Sequence, residues 1–355
     1  MPLRFVPRFH SFLKMEDRAY NRYGLNVKRP HLVLVGAGAS VAAFPKGEKN
    51  GLKLPLMNDF VETVLGLSDY LEKCRINYRG QKFEDLYSGL YEDSQYEETR
   101  RPIEEMIYDY FGRMELPDEP TLYDHLVLSL TGRDVVATFN WDPFLWQAMC
   151  RNWHRVGHRN LPRPVFLHSN TAIGICTNHE KIQISHKGDM CSKCSRPLGK
   201  SRLLYPISKK DYNADPFIRS GWDGIKSCLK SAYMFTVFGY GAPCSDVEAV
   251  NLLSEGWGDK EQRNMEQIEI IDIIGEETLC ERWNKFIHSH HYDTHSDFYS
   301  SMIGKCSRRS ADASFGANFD CIAWDEYPIP KDASWDELDE WVKPYIEEEE
   351  RARGL

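Results

Sequence analysis

The sequence predicts an α/β fold: a doubly wound, mostly parallel, Rossmann-like sheet that carries a helical lobe and a small zinc module. Three observations predict it. Short apolar runs end in Gly, Asn, Asp, His or Ser, as strands of an open sheet do when a ligand lies at their carboxyl edge. A long stretch between the first two runs carries apolar residues at helical spacing among acids. Cysteine and histidine pairs with two-residue gaps interrupt the chain after the third run. A chain of 355 residues can bury a core of that size.

In chain order, the first strand covers 31–36 and breaks into Gly36-Ala37-Gly38-Ala39-Ser40. Leu32 to Val35 is an unbroken apolar run suited to a buried parallel strand, and Gly36 and Gly38 permit a tight turn. Amide hydrogens and a following helix N-terminus would then face an anion. A hydride-transferring dinucleotide site wants a third glycine where this chain has Val41. Val41 to Leu56 reads as a loop, rich in Gly, Lys and Pro.

Asn58 to Leu130 reads as helical, with Phe60, Val61, Val64, Leu65, Ile103, Met106, Ile107 and Tyr110 in period, and Tyr91 to Glu105 as a solvated helix face. Asp134 to Phe139 forms the second strand and feeds the polar turn Asn140-Trp141-Asp142. Pro164 to Leu167 is the third, Tyr233 to Phe238 the fourth, ending in Gly239-Tyr240-Gly241, and Ile268 to Ile274 the fifth. Ser307 to Asn318 is poor in apolar residues and reads as a mobile loop. Ser334 and Glu337 form a capping box, and Trp335, Leu338, Trp341 and Tyr345 make a stripe that this chain's own core should cover. The expected organisation is a nucleotide-binding catalytic domain over 1–275, with the lobe at 58–130 and the zinc module at 170–200, followed by a helical extension over 276–355.

A net charge of −9 argues against a broad basic surface for nucleic acid, and no apolar stretch reaches the roughly 18 residues that span a membrane. Met1 to Lys14 lacks the apolar core of a leader, so the expected location is cytoplasmic. Ten cysteines are scattered without a secretion signal, which favours metal over disulfides. Cys176 and His179, then Cys191 and Cys194, give two pairs able to reach one structural zinc ion, with His186 as a rival to His179. His288 to His295 holds several histidines, and His291 and His295 would share a helix face. With no accompanying glutamate of zinc-protease spacing, that face reads as solvated. Cys244 reads as a packing residue.

Breaking a glycosidic bond to a cationic leaving group creates an oxocarbenium-like ribose. Such a site needs a carboxamide or carboxylate, a base near water or a ribose hydroxyl, and shelter from solvent. Asn140, Asp142 and His168 supply those types. Gly36 to Ser40, Thr138-Phe-Asn140-Trp-Asp142 and Leu167-His168-Ser169, in this order, resemble the sirtuin superfamily's glycine turn, Thr-x-Asn-x-Asp strand end and Leu-His-Gly element. Leu54-Pro55-Leu56-Met57 replaces the deacylase Gly-Ile-Pro-Asp-Phe-Arg loop and is similar to the Leu-Pro-Leu-Trp pattern of NAD-cleaving bacterial defence proteins. Phe238 to Gly241 with Ser245-Asp246 looks like that branch's Gly-Tyr-Ser...Asp strand end, whereas Ser169 stands where most relatives have Gly.

The resemblance implies NAD+ as substrate, a structural Zn2+ ion, and an antiviral role by NAD depletion. It further implies a homo-oligomer, and restraint by assembly or by a partner such as a nucleic-acid-translocating ATPase encoded alongside. Asn140 would position water, His168 would act as base and Asp142 would hold the ribose or nicotinamide end. Gly36, Ala37, Gly38, Ser40, Pro55, Gly239, Tyr240 and Gly241 would bind the rest of the dinucleotide. An NAD-dependent deacylase and a catalytically silent NAD-sensing or scaffold subunit are the alternatives.

Overall fold

The computed structural model describes residues 29–176, 178, 183–207, 210–242, 246–319 and 325–353. Nine strands appear among them: β1 (His31–Val35), β2 (Val135–Thr138), β3 (Arg163–Phe166), β4 (Ile173–Cys176), β5 (Gln183–His186), β6 (Gly199–Lys200), β7 (Met234–Phe238), β8 (Gln267–Ile271) and β9 (Tyr292–His295). Six of these form a parallel sheet in the order β3-β2-β1-β7-β8-β9. The chain fills one half outward from β1 and then crosses to fill the other from β7. The strand order therefore reverses between β1 and β7, where an open α/β sheet leaves a crevice at its carboxyl edge.

All five positions of β1, of β7 and of β8 are buried, because helices cover both faces of the sheet. Helices Leu122–Leu128, Phe144–Val156, Pro216–Ser231 and Val247–Trp257 contribute apolar faces to that core. Helices Phe83–Glu92 and Glu97–Gly112 fall in the stretch read as helical, and they bury Phe83, Leu86, Ile103 and Ile107. Among the described residues no helix is long and apolar enough to cross a membrane. A three-stranded antiparallel sheet, β5-β4-β6, follows β3; Cys176 ends β4, and Cys191 and Cys194 lie between β5 and β6.

Three expectations are corrected. The segment after the glycine turn does not start as a loop, since helix Ala37–Ala43 begins directly after Gly36. Tyr292–His295, read as part of a helix face, is the sixth strand and pairs with β8. Its backbone completes the open edge of the sheet, and that tertiary pairing overrides the apparent helical spacing of His291 and His295. Ser307 to Asn318 is no mobile loop: helix Ser310–Phe319 is buried over most of its length. Its small residues pack close to the sheet, with Ala311 against Tyr233 and Met234, and Ser310 Oγ 2.7 Å from His31 Nδ1. Burial holds His31 neutral, its pKa lowered to about 4, with its Nε2 on Thr236 Oγ1 at 2.7 Å.

Helix Trp335–Ala352 has both reciprocal bonds of its capping box, and its stripe is covered by this chain. Leu338 is fully buried, and the Trp335 ring lies under the guanidinium groups of Arg151 and Arg155 at 4.9 and 4.1 Å.

Candidate active site

The two glycine turns at the switch point are pressed together. Gly36 N donates to Phe238 O at 2.9 Å and Gly38 N to Gly239 O at 2.9 Å. A Cβ on Gly36 would lie 2.5 Å from Gly239 O, and one on Gly239, whose φ is +63°, would lie 2.2 Å from Ala39 N. The glycines are thus needed first for contact between β1 and β7. The anion cradle expected of them is smaller than expected, because Gly38 N is taken by Gly239 O and Ala39 N by Gly36 O.

Directly beside this contact, Asn140 leaves the end of β2. Its Nδ2 donates to Gly36 O and to Ser40 Oγ, both at 3.0 Å, and lies 3.3 Å from Tyr123 Oη. A carbonyl can only accept, so Gly36 O fixes which way the amide points. Among the described residues nothing donates to Asn140 Oδ1. Ser40 Oγ in turn donates to Asp142 Oδ2 at 2.8 Å and lies 2.6 Å from Tyr123 Oη. Asn170 Nδ2 donates to Asp142 O and its Oδ1 accepts from Ala172 N, which locks the turn after β3 to the turn after β2.

Burial raises the Asp142 carboxyl to about pKa 6, against the opposing hydrogen bonds from Ser40 and the Phe144 amide. Its folded value lies above the unfolded one, so this group favours folding fully below pH ~4 and loses that contribution as pH rises through about 6. Two units correspond to about 3 kcal/mol. Asp142→Asn is therefore expected to gain stability by up to about that amount at pH 8, with the gain absent below pH ~4 in urea unfolding. An equal gain at both pH values would contradict this.

A second group forms around His168. The backbone turns at Ser169 with φ of +67°, a left-handed conformation that glycine adopts without strain. His168 Nε2 lies 3.4 Å from Tyr212 Oη, and its ring packs 4.7 Å from that of Phe139. Burial lowers the His168 pKa to about 4; Asp246 pulls it upward and Lys210 downward, and burial wins. Asp246 accepts from Tyr240 Oη at 2.9 Å and is ion-paired with buried Lys210. Burial works against ionising Asp246, yet the neighbouring charges and hydrogen bonds outweigh it and hold its pKa below the usual value. A protonated His168 would add to that, but His168 is neutral at pH 7, which leaves Lys210 as the compensating cation.

The Phe139 ring also stacks on Tyr240 at 4.4 Å, and Phe139 is the chain neighbour of Asn140. The structure thus brings together Gly36, Ser40, Asn140 and Asp142 by hydrogen bonds, and His168 with Tyr240 through Phe139. Pro55 is buried, but no hydrogen bond or ring contact among the described residues ties it to either group. Ala37 and Gly241 are exposed at the turns. Cys244 and Ser245 lie outside the described residues. Sequence reasoning missed Tyr123, Asn170, Lys210 and Tyr212. Lys210 and Tyr212 enter from the connection between the small sheet and helix Pro216–Ser231, which carries no motif spacing.

In the small sheet, the Cys176, Cys191 and Cys194 sulfurs lie within 4.8 Å of one another, with Cys176 Sγ and Cys194 Sγ at 3.8 Å. Two thiolates on a tetrahedral zinc with Zn–S near 2.3 Å stand about 3.8 Å apart, so these cysteines fit such an ion. His179 lies outside the described residues. Cys176 pairs with Gln183 across the ladder, so His186, three residues further on and opposite Ile173, starts roughly 10 Å away and is not part of the cluster. Purified protein is expected to carry about one zinc ion per chain, and Cys191→Ser to lose it, by elemental analysis. A zinc-free wild type would remove the assignment.

No family model and no curated protein matches this chain. Among solved structures it is similar to a Sir2 homologue in complex with NAD, at 13% identity over 89% of this chain and 90% of that one, TM-score 0.37. It is also similar to a mutant Sir2 homologue with ADP-ribose, at 14% identity over 89% and 93%, TM-score 0.33. A third, described as a structural basis for the mechanism and regulation of Sir2 enzymes, shares 13% identity over 92% and 94%, TM-score 0.34. At these values the likenesses bear on neither the activity nor the site.

Proposed function

We propose that this chain is an NAD+ hydrolase that releases nicotinamide and ADP-ribose. One observation carries the reading: at the crevice where strand order reverses, the Asn140 amide is oriented by Gly36 O and Ser40 Oγ so that its Oδ1 is left for water or a ribose hydroxyl. In the reaction, the glycosidic C1′–N bond breaks with its electron pair leaving on nicotinamide, and a water oxygen bonds C1′. The water proton passes to neutral His168. Asp142, through Ser40, holds Asn140 and bears on the ribose or nicotinamide end. Gly36, Ala37, Gly38, Ser40, Pro55 and Gly239 to Gly241 take the remaining dinucleotide. The absence of Asp-Phe-Arg beside Leu54-Pro55-Leu56-Met57 favours water over an acyl-lysine as the acceptor.

In the cell this activity would deplete NAD+ during viral infection. A toxic hydrolase needs restraint, and the reading places it in homo-oligomer assembly or in a translocating ATPase partner in the cytoplasm. Incubation with NAD+ alone tests the chemistry. Nicotinamide and ADP-ribose without peptide support hydrolysis; turnover only with an acylated peptide makes the chain a deacylase; no turnover in either case, with or without the product of a neighbouring gene, leaves a silent subunit.

A further inference from the structure

We propose that Lys210 is a positioning residue for the candidate base: by pairing with Asp246 it keeps that carboxylate from drawing a proton onto His168. The inference rests on His168 being the base of the proposed reaction. Side chains from three separate parts of the chain meet here. Lys210 and Asp246 both lie almost wholly out of solvent, at 3% and 8% side-chain exposure, and they are ion-paired. Tyr240 Oη donates to the other Asp246 oxygen, so each carboxylate oxygen already holds a donor other than the imidazole. Tyr212, two residues beyond Lys210, sets its hydroxyl 3.4 Å from His168 Nε2 and its ring nearly parallel to the imidazole, at 15°.

The groups facing His168 can be named from each element. Tyr212 and Lys210 come from the connection before helix Pro216–Ser231 and Asp246 from the start of helix Val247–Trp257, while Tyr240, from the turn after β7, reaches Asp246. Lys210 supplies the cation among them. An isolated anion buried near an imidazole favours the imidazolium, and an imidazolium cannot accept a proton from water. The ion pair removes that bias at the cost of burying two charges, a cost that breaking the pair by removing one partner would expose. The same connection also ties the segment in place, since Leu204 N donates to His168 O at 3.1 Å.

The test reads the protonation of His168 in the full chain by imidazole nitrogen NMR, with the signal assigned by its loss in His168→Gln. In wild type at pH 6.5 the ring is expected to be neutral. Lys210→Gln keeps a hydrogen-bonding group beside Asp246 but removes the charge, and should move the His168 midpoint upward by about one to three pH units. Lys210→Arg should keep the wild-type midpoint. Asp246→Asn, which needs no intact Lys210 variant, should leave His168 neutral, and with Lys210→Gln it should reverse the upward shift. An unchanged or lowered midpoint in folded Lys210→Gln overturns the inference, as does a protonated His168 in Asp246→Asn. The readout needs no turnover. A chain that leaves NAD+ intact yet shows the shift defeats the proposed activity and keeps the pairing; a chain that cleaves NAD+ without the shift does the reverse.

Discussion

Arg308→Leu should lose about 3–5 kcal/mol of folding stability, the loss expected when one partner of a buried ion pair is removed. Arg308 has no exposed side-chain surface and uses its whole guanidinium group. Nε donates to Glu349 Oε1 at 2.8 Å and Nη2 to Glu349 Oε2 at 2.5 Å. Nη1 donates to Leu128 O and Leu130 O at 3.0 and 2.8 Å, and Nη2 to Asn160 O at 3.0 Å. One side chain therefore ties helix Trp335–Ala352 to the approach to β2 and to the segment before β3. Leucine would leave three carbonyls buried without this donor, and Glu349 with only the longer contacts of Arg309 and Arg353, at 3.5 and 4.0 Å. Glu349→Leu on its own should also destabilise, while the double substitution should recover part of the loss, since no lone charge then remains. Urea unfolding of all four proteins measures the coupling; single-variant losses under 1 kcal/mol would contradict it. The pair is remote from Asn140 and His168, so any surviving activity below the melting range should keep the wild-type KM.

The same residue shows where the sequence stopped being legible. Arg308 lies in the stretch Ser307 to Asn318, read as a loop because Ser, Ala, Gly and Asp give it little apolar content. Small residues allow close packing and buried polar bonds, and composition alone does not distinguish the two. β9 was hidden for a related reason: a short polar edge strand is held by backbone bonds to β8, and its side chains carry little of the signal. The strand ends were legible because chemistry and backbone demand coincide there. Gly36 and Gly239 are needed for the contact of two turns, and Asn140, Asp142 and His168 leave neighbouring parallel strands at the same edge. What completes the site was not legible. Tyr123 reaches Ser40 from a helix that reads as ordinary core, and Lys210 reaches Asp246 from a connection of no regular structure. Both contacts exist only once distant segments are packed together.

Asn140→Ala is expected to lower the rate of nicotinamide release by at least about 10²-fold, the scale of losing a positioning group that orders the attacking water. The side chain has two separable duties. Its Nδ2 donates to Gly36 O and Ser40 Oγ; in alanine Gly36 O keeps only the Ala39 amide, so the change should cost about 0.5–1.5 kcal/mol of stability. Its Oδ1 is the part available to the substrate. Asn140→Asp separates the duties: it keeps an oxygen toward the crevice, but turns the other toward Gly36 O and sets a carboxylate near Asp142, two buried acids linked through Ser40. Repulsion between them should hold a shared proton and raise the pH at which the site ionises. Any residual activity of Asn140→Asp should therefore fall as pH rises, whereas that of Asn140→Ala should remain uniformly low. Nicotinamide release measured across pH 5.5–8.5 distinguishes the two. Alanine and wild-type rates within tenfold of each other, in protein still folded at the assay temperature, would show that the oriented amide belongs to the turn and that the chemistry lies elsewhere.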